Sequence, residues 1–597
     1  MKSFTQTMLA SALGVLIVLG IFTIGSTLAT IGFMVALASK SAPEIEPGTV
    51  LQIKLEGELS EYVTDPLSSF SLSFADEEDA PQAAISLDEL LTGIAQAQDD
   101  PNISGIYLEC GTLSAAPASL GEIRHALDEF RQTGKFIYAY ADRSMAQGVY
   151  YVASVADSLF LNPRGLMELS GLSSTILYYK DVLKKVGVEP QIFKVGTFKS
   201  AVEPFTESTM SEANRRQIQS YQSSIWNNIL AEISASRGLS VDRLNELADE
   251  MVLFKKSGYS VECGLIDALA YENEVKEFLA EKTLTSVEDL QMIDLKAYNG
   301  LPSSADKPFC KDKVAVLYAA GEINAEVGGV SMPQGECITH KSMIREIERL
   351  KNDDHVKAVV FRVNSPGGDA FASDQICHAI DALNDVKPVV ISMGDYAASG
   401  GYYISSHGSK IVASPTTLTG SIGIFGTSFN LEEVASKVGL HYSTVSTNRY
   451  GDFGNLLRKM TPAEKALMQG YIEEGYDNFV GVCADGRGMD EVDIRKIAEG
   501  RVWTGEQGLE IGLVDTLGYL SDAVASAAAM AGLEDYRVVK CPEEKDLFEE
   551  LLGSLGFGIS VRMKAHRMGL DKVQLSQLEW LRNHSGVQAR MPFSMEM

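Results

Sequence analysis

The sequence predicts an α/β protein in which two tandem repeats follow an N-terminal apolar helix. Three observations predict this: an uncharged N-terminal run, a long internal match, and short β-branched runs that alternate with amphipathic stretches in each half. Such alternation is typical of α/β units with largely parallel strands. The 597 residues also exceed what one hydrophobic core normally holds.

The N-terminal run contains no charged residue between Lys2 and Lys40. It is longer than the ~20 apolar residues that span a bilayer. A secretory signal peptide has an apolar core of only about 7–15 residues, so we predict an uncleaved transmembrane signal anchor at residues 1–42. The small residues at positions 36–38 (ALA) resemble a cleavage site, which leaves cleavage as an alternative. The flanking charges do not fix the orientation of the anchor.

The internal match has a period of 252 residues (387 − 135). KFIYAYADRSMAQGVYYVASVADSLFLNP, which begins at Lys135, aligns without a gap with KPVVISMGDYAASGGYYISSHGSKIVASP, which begins at Lys387. Self-similarity of this kind indicates a repeated fold. We predict a first repeat at 43–300, a second at 301–541 and a tail at 542–597, with a polar joining stretch at 272–312.

Each repeat contains predicted strands and helices. KVAVLYAAG and KAVVFRV are predicted to be buried strands by their length and β-branched content. HKSMIREIERLKN is predicted to be a helix, because Met343, Ile347 and Leu350 recur at helical spacing. In the tail, residues 547–570 are predicted to form either a simple terminal helix or a helix that packs on a partner subunit or on the membrane.

Composition excludes some classes of function. The formal net charge of −29 and the lack of a basic stripe argue against a nucleic-acid partner. The seven cysteines are scattered and include no C-x-x-C, which argues against a structural zinc site and a dense disulfide framework. We therefore predict neither a metal nor an organic cofactor.

The two repeats differ at two positions that carry chemistry. Ser399 in AASGGYY aligns with Gln147 in MAQGVYY, and Lys199 in VGTFKSAVEPF aligns with Gly451. The first repeat thus has a lysine without the serine, and the second has the serine without the lysine. We predict that one Ser/Lys pair forms where the repeats meet.

Ser399 lies between a predicted strand, KPVVISM, and a predicted helix that begins near YYISS. A serine at such a turn has an exposed hydroxyl, and a helix N-terminus favours developing negative charge. The alternative is a serine that only caps the helix. RVNSPGGDA, which ends at Ala370, contains a second turn whose backbone N–H groups at Gly367 and Gly368 are predicted to stabilise an oxyanion. The alternative here is an ordinary Pro-Gly turn.

The choice of base depends on distance and burial. His407 follows Ser399 by eight residues, which in a helix corresponds to about 12 Å along the axis and is too far for a base. A lysine serves as a base only when it is neutral, and burial disfavours the ammonium form. Lys199 has apolar neighbours in sequence, and Glu203 is expected to face away from it.

These motifs together resemble one family. VGTFKSAVEPF, RVNSPGG, AASGGYYIS, TGSIGIFG and RVWTGEQGLEIGLVDTLG are similar, in this order, to the long duplicated bacterial form of signal peptide peptidase A, or protease IV. The resemblance covers nearly the whole chain after the anchor. It implies two repeats with the fold of the Clp-protease/crotonase superfamily.

The resemblance also implies roles. It assigns the nucleophile to Ser399, the base to Lys199, a lysine-binding hydroxyl to Ser421 and the oxyanion turn to Gly367 and Gly368. It implies a serine endopeptidase of the bacterial inner membrane, a homotetramer with its catalytic domains on the non-cytoplasmic side. Its substrates would be signal peptides left in the bilayer after secretion.

Two other functions are weighed against this one. An acyl-thioester enzyme of the crotonase type also uses a backbone oxyanion hole, but it does not require the split Ser399/Lys199 pair. The sequence also shows no basic cluster for coenzyme A. A catalytically inactive membrane scaffold is the second alternative.

Overall fold

The computed structural model describes residues 45–62, 84–301, 310–325, 337–542 and 586–590. Within these ranges no helix has both the length and the apolar character needed to cross a bilayer. The predicted anchor at residues 1–42 and the predicted tail helix at 547–570 lie outside the described residues.

The first repeat is an alternation of strands and helices with one long helix. Its strands are β1 (Thr49–Ser60), β2 (Ala84–Ser86), β3 (Ile103–Ser114), β4 (Phe136–Ala141), β5 (Ser144–Met145), β6 (Ser158–Leu161), β7 (Leu166–Met167), β8 (Glu189–Lys194), β9 (Ala268–Leu269) and β10 (Met292–Asp294). Its helices are α1 (Leu87–Asp99), α2 (Pro117–Gln132), α3 (Gln147–Ala153), α4 (Lys180–Val186), α5 (Glu203–Thr206), α6 (Glu212–Arg237), α7 (Val241–Asp249), α8 (Ser257–Glu262), α9 (Glu272–Lys282) and α10 (Leu295–Asn299), with a 3₁₀ turn at Val252–Phe254.

The second repeat has the same kind of alternation. Its strands are β11 (Lys313–Ala320), β12 (Glu322–Asn324), β13 (Cys337–Thr339), β14 (Val356–Ser365), β15 (Gly367–Asp369), β16 (Val389–Ala398), β17 (Lys410–Ala413), β18 (Leu418–Gly420), β19 (Phe425–Asn430), β20 (Val502–Thr504), β21 (Thr516–Leu517), β22 (Arg537–Cys541) and, in the tail, β23 (Gly586–Arg590). Its helices are α11 (His340–Asn352), α12 (Ala370–Asn384), α13 (Gly400–Ser405), α14 (Glu432–Lys437), α15 (Pro462–Arg487), α16 (Glu491–Ile497), α17 (Gly505–Glu510) and α18 (Leu520–Met530).

The strand order of the two main sheets confirms the predicted duplication. The first sheet runs β10-β1-β3-β4-β6-β9, and the second contains β22-β11-β14-β16 followed by β17 and β21. All pairs along these two paths are parallel. Strands such as β11 and β14 are mostly apolar, and successive residues are buried in each, as expected for parallel strands that are buried on both faces.

The joining stretch predicted at 272–312 is wrong in its first part. Residues 272–299 complete the first repeat, since β10 pairs in parallel with β1 at the edge of the first sheet. Helix α9 buries Val275 and Leu279 against the same sheet. The polar residues that made this stretch look like a linker lie on the exposed face of an amphipathic helix. The domain boundary near residue 300 stays a prediction.

A third sheet joins the two repeats. Its order is β13-β12-β15-β23-β19-β8, so it combines β8 of the first repeat with strands from the second repeat and the tail. Strand β8 is antiparallel to β19, from Phe425 opposite Lys194 to Asn430 opposite Glu189. Phe193 of β8 is buried in the core of the second repeat. This sheet fixes the position of the chain that continues from β8 to Lys199.

Candidate active site

Ser399 occupies a strained turn between β16 and α13. Its φ of 56° and ψ of −116° lie outside the regions that non-glycine residues normally adopt, a cost that is typical of functional sites. The backbone N–H of Ser399 donates to the carbonyl of Gly420 at 2.8 Å, which holds the turn in place. Gly401 is required beside it, because an added Cβ would lie 2.5 Å from the carbonyl oxygen of Ser365. Helix α13 has six residues and follows Ser399 directly.

Lys199 reaches Ser399 from the other repeat. Its Nζ lies 2.8 Å from Ser399 Oγ, although the two residues are 200 positions apart in the chain. The lysine is only 1% exposed and Ser399 is fully buried. The structure therefore brings together the two groups that the internal comparison singles out, one from each repeat.

Ser421 holds the lysine from a second side. Lys199 Nζ lies 3.1 Å from the hydroxyl and 3.1 Å from the carbonyl oxygen of Ser421. Ser421 has a φ of 51° and donates its backbone N–H to the carbonyl of Arg501 at 2.7 Å. Two serines with left-handed backbones thus converge on one amine, which fixes its direction.

The glycines of the predicted oxyanion turn form the short strand β15. The N–H of Gly367 donates to Ser365 Oγ at 3.2 Å. At Gly368 an added Cβ would lie 2.0 Å from the carbonyl oxygen of Ile323, so no larger residue fits. The turn is therefore held close to β12 on one side and is followed directly by α12.

The other residues considered as bases or counterparts lie elsewhere. The ring nitrogens of His407 are 3.0 Å from an Asp381 carboxylate oxygen and 3.1 Å from the carbonyl oxygen of Val482. The carboxylate of Glu203 accepts hydrogen bonds from Ser211 and Asn214, which agrees with the expectation that it faces away from Lys199. Gly451, the counterpart of the lysine, lies in an exposed turn.

Gln147, the counterpart of Ser399, is buried and makes hydrogen bonds with both ends of its side-chain amide. Its carbonyl oxygen accepts from the N–H groups of Ser170 and Gly171, both at 2.8 Å. Its amino group donates to the carbonyl of Gly171 at 3.1 Å. The first repeat therefore fills the equivalent position with a structural hydrogen-bonding group.

Two elements that sequence reasoning missed support the lysine. Gln217 of α6 donates to the carbonyl of Phe198 and to Ser200 Oγ, at 3.1 and 3.0 Å, on either side of Lys199. Gly500, with a φ of 77°, packs so closely that an added Cβ would lie 2.7 Å from Lys199 Cβ. Gly500 directly precedes the RVWTGEQG motif, and this adjacency is the signal in the sequence that could have pointed to it.

A buried charged cluster, also missed, links the repeats just before the reactive turns. Arg362 of β14 is 1% exposed and bonds Glu61 at 2.5 Å and Glu122 at 2.6 Å, both from the first repeat. Asp395 of β16 accepts from the N–H and the hydroxyl of Ser119, at 2.8 and 2.5 Å. These residues, Arg362, Asp395, Glu61, Glu122 and Ser119, form the inter-repeat cluster.

The tail contributes a strand beside the site. Strand β23 is antiparallel to β15, with Ala589 opposite Gly368, and antiparallel to β19, with Gln588 opposite Phe425. It also lies next to α13, the helix that follows Ser399. A short piece of the chain in extended form therefore occupies the space between the glycine turn and the strand that is paired with β8.

No group of three or more His, Cys, Asp or Glu side chains suited to a metal ion is found in the part of the chain that the structure describes.

The sequence matches Peptidase family S49 twice, at residues 129–286 and 381–534. The two matches begin 252 positions apart, the period of the internal repeat. This chain belongs to Peptidase family S49. It is a serine peptidase, and its family domain is duplicated.

Several relatives agree with this assignment. The chain is 38% identical to Protease 4 of Salmonella typhi over 479 residues, which cover 79% of this chain and 76% of that protein. It is 34% identical to Protease 4 of Haemophilus influenzae, with 82% and 80% covered. It is 30% identical to the chloroplastic serine protease SPPA of Arabidopsis thaliana, with 92% and 78% covered.

Among solved structures, a ClpP1 mutant from Listeria monocytogenes is similar at 15% identity and a TM-score of 0.24, over 35% of this chain and 94% of that one.

Proposed function

We propose that this S49 peptidase is a membrane-bound endopeptidase that hydrolyses peptide bonds with a Ser399/Lys199 dyad. The observation that carries the proposal is the 2.8 Å contact between Lys199 Nζ and Ser399 Oγ in a buried site. Serine peptidases with a lysine base are a known variant of the serine-histidine arrangement. The acyl-thioester enzyme and the inactive scaffold give this contact no role.

In the proposed reaction, neutral Lys199 accepts the hydroxyl proton of Ser399 as Oγ bonds to the peptide carbonyl carbon. The tetrahedral intermediate then collapses, the C–N bond breaks, and Lys199 gives its proton to the leaving amine. Water hydrolyses the resulting ester, with Lys199 again as the base. Ser421 keeps the amine directed at Ser399 throughout, from the two contacts at 3.1 Å.

The oxyanion is assigned to backbone N–H groups. The N–H of Gly367 already donates to Ser365, so we assign Gly368 as the donor within the predicted pair. Preorganised donors of this kind are usually the largest single contribution to acyl-transfer catalysis. The close approach of Ile323 to Gly368 fixes the turn and supports this role.

We infer that peptide substrates bind in extended form between β15 and β19. The support is β23, which makes antiparallel pairs with both strands in this position. Pairing of this type recognises the backbone of any extended peptide and leaves selection to side-chain pockets.

The cellular assignments are also proposals. We propose an anchor at residues 1–42, catalytic repeats on the non-cytoplasmic side of the bacterial inner membrane, a homotetramer, and signal peptides left in the bilayer as substrates. The fold of each repeat is proposed to be that of the Clp-protease/crotonase superfamily. The uncharged N-terminal run and the resemblance of the motifs support these proposals.

Labelling with a fluorophosphonate tests the proposed chemistry. The reagent phosphonylates an activated serine oxygen and releases fluoride. We expect labelling of the full-length chain, none in Ser399→Ala and strongly reduced labelling in Lys199→Ala. Ser521→Ala and Lys256→Ala, at exposed positions, serve as matched controls and should label normally. Undiminished labelling of Ser399→Ala would refute the assignment of the nucleophile.

A further inference from the structure

Strands β14 and β16 lead to the glycine turn and to the nucleophile, and their pairing breaks register just before both. Val363 of β14 pairs with Met393 of β16. Two residues later Ser365 pairs with Ala397, so Asn364 alone lies opposite three residues of β16. Such a bulge bends a strand and re-aims the residues that follow it. The bulge in β16 therefore sets where the nucleophile lies relative to the glycine turn.

The side chain of Asn364 fills this bulge. Its carbonyl oxygen accepts from the N–H of Tyr396 at 3.1 Å, and its amino group donates to an Asp395 carboxylate oxygen at 3.3 Å. Gly394 leaves room for the side chain, because an added Cβ would lie 3.0 Å from Asn364 Cγ. One amide thus contacts all three residues of β16 that lie opposite it.

The same amide also contacts the first repeat. Its amino group donates to a Glu61 carboxylate oxygen at 2.7 Å. Its other acceptor, Asp395, accepts in turn from the N–H and the hydroxyl of Ser119 in α2. Because a neutral amide has one hydrogen for each of the two carboxyl groups, it fits between them without adding charge. The first repeat therefore holds the bulge at two points.

The repeat without the nucleophile lacks this amide. The match of ISGIYLECG with VKAVVFRVN puts Gly111 at the position of Asn364. The period of 252 puts Arg143 at the position of Asp395. Glycine has no side chain to hold a bulge, and β3 pairs with β4 in one unbroken register. The amide therefore occurs in the repeat that carries the nucleophile and not in the repeat that carries Gln147.

Two short paths along the chain lead from this amide to the proposed reacting groups. In β14 the next residue is Ser365, whose hydroxyl accepts from the N–H of Gly367 at 3.2 Å, at the start of the glycine turn. In β16 the hydrogen-bonded Tyr396 lies three residues before Ser399. Removing the amide loosens the join between these two paths, so the distance between the turn and the nucleophile changes.

We propose that Asn364 is a positioning residue for the reaction. Its amide fixes the bulge and thereby holds Ser399 at the correct distance from the oxyanion donor assigned to Gly368. Because Glu61 of the first repeat is one of its partners, the contact between the repeats sets this distance as well as bringing Lys199 to the nucleophile. The inference rests on the proposed function, since it requires the nucleophile to be Ser399.

The first test is steady-state kinetics of full-length Asn364→Ala on a soluble peptide. We expect kcat to fall about 10²-fold with KM changed much less, since a displacement of about 1 Å can cost this much. The ascending limb of the pH–rate profile should stay at the same pH, because Lys199 keeps its contacts with Ser399 and Ser421. A limb that moves would mean that Asn364 acts through the base, and it would overturn the proposal.

The matched control is Asn384→Ala. The amide of Asn384 also bonds two backbone groups, since it accepts from the N–H of Val389 and donates to the carbonyl of His407, both at 3.0 Å. Val389 begins β16, at the end remote from Ser399, so this variant should lower the free energy of unfolding without lowering kcat. Urea unfolding compares the stability of the two variants. Equal kcat in Asn364→Ala and the control would overturn the proposal.

Failure of the proposed function is measured separately with Ser399→Ala. If that variant hydrolyses the peptide at the parent rate, the assignment of the nucleophile is wrong, and the positioning role falls with it. If Ser399→Ala is inactive and Asn364→Ala matches Asn384→Ala, the nucleophile stands and only the positioning role is wrong.

Gly394→Ala displaces the same amide without removing it, and it replaces Asn364→Ala if that variant does not fold. The added methyl presses on Asn364 Cγ and shifts the amide by a few tenths of an ångström, so kcat should fall about three- to tenfold. Gly470→Ala, whose added methyl meets open space, should keep the parent kcat. If Asn364→Ala does not fold, equal kcat in these two glycine variants would overturn the proposal.

Discussion

The two repeats share one strand order and differ in what they place at equivalent positions. In the second repeat the turn after β16 holds Ser399 in a strained conformation. In the first repeat the corresponding position holds Gln147, whose amide is hydrogen-bonded to the backbone of Ser170 and Gly171. Conversely, the segment after β8 carries Lys199, and its counterpart is an exposed turn at Gly451. The two repeats therefore share a fold, and a few side-chain differences make one repeat contribute Lys199 and the other contribute Ser399.

The strands that lead to these turns differ in the same way. Arg362 of β14 is buried between Glu61 and Glu122 of the first repeat. Its counterpart in β3 is Glu109, which is more than a third exposed and pairs with Lys54. Arg362 thus connects the second repeat to the first repeat at the end of β14, just before the glycine turn. The asymmetry of the active site is therefore matched by an asymmetry of the interface between the repeats.

The largest expected effect tests the dyad. Ser399→Ala and Lys199→Ala should each lower kcat/KM for a soluble peptide by about 10⁴-fold or more, because the two residues act as a unit. Lys199→Arg should be equally inactive, since a guanidinium keeps its charge and does not act as a base. The double variant should be little worse than either single one.

Steady-state kinetics with purified full-length protein measure this, and Lys256→Ala is the control. Substantial turnover in Lys199→Arg would mean that a different group accepts the proton.

The next effect concerns the inter-repeat cluster. Arg362→Met leaves two carboxylates buried without their cation, which should lower the free energy of unfolding by about 3–5 kcal/mol. Adding Glu61→Gln and Glu122→Gln removes those charges and should restore most of the loss. Urea unfolding at neutral pH measures both.

The control for this cluster is Arg495→Met, which removes an exposed pair with Asp477 and should cost less than about 1 kcal/mol. A loss in Arg362→Met no larger than in the control would show that the buried cluster does not hold the repeats together.

A smaller effect is expected at the glycine turn. Gly368→Ala places a Cβ against the carbonyl of Ile323, so the turn must move and the proposed oxyanion donor moves with it. We expect kcat to fall by about 10²-fold, the effect of losing one such donor, with KM changed less. Gly470→Ala, in a helix with open space around the added methyl, should have normal kinetics. Equal kcat in both variants would remove Gly368 from the mechanism.

The pH dependence of stability is a finer test of the same interface. Burial between the repeats raises the pKa of Asp395 above its usual range, and the nearby carboxyl of Glu61 adds to this. The folded state therefore binds this proton more tightly than the unfolded chain, so stability falls as pH rises from about 4 through the raised pKa. Asp395→Asn should remove this pH dependence. Its size is about 1.4 kcal/mol for each pH unit between the pKa of Asp395 in the unfolded chain and its raised pKa in the folded state.

Urea unfolding at several pH values measures the slope, with exposed Asp385→Asn as the control. If the free energy of unfolding changes with pH in Asp395→Asn as it does in the parent protein, a group other than Asp395 causes the pH dependence.

Local pattern and internal comparison predicted a large part of this structure. The strands at KVAVLYAAG and KAVVFRV and the helix at HKSMIREIERLKN were predicted correctly, because their periodicity reflects local burial. The contact of Lys199 with Ser399 was expected because the first repeat has the lysine without the serine and the second has the serine without the lysine. Gln217 and the Arg362 cluster were missed, since their roles depend on which repeat surfaces meet, and pattern along the chain carries no such signal. Gly500 was missed although it directly precedes the RVWTGEQG motif. The linker interpretation of residues 272–299 failed because an amphipathic helix that packs on one face of a sheet exposes mostly polar residues.

The smallest expected effect concerns β23, which has no counterpart among the strands that the structure describes in the first repeat. If this strand covers the edges that a peptide uses, removing residues 586–597 should lower KM for a soluble peptide and leave kcat unchanged. A segment that occupies the cleft about 80% of the time changes apparent affinity about fivefold. Substituting proline at Val587 and Ala589 in the intact chain should have the same effect, because proline does not donate to a strand pair. Steady-state kinetics of the truncated chain, the proline variant and the parent protein measure this. Identical KM values in all three would show that the strand does not compete with substrate, and loss of kcat on truncation would show instead that β23 is needed to build the site.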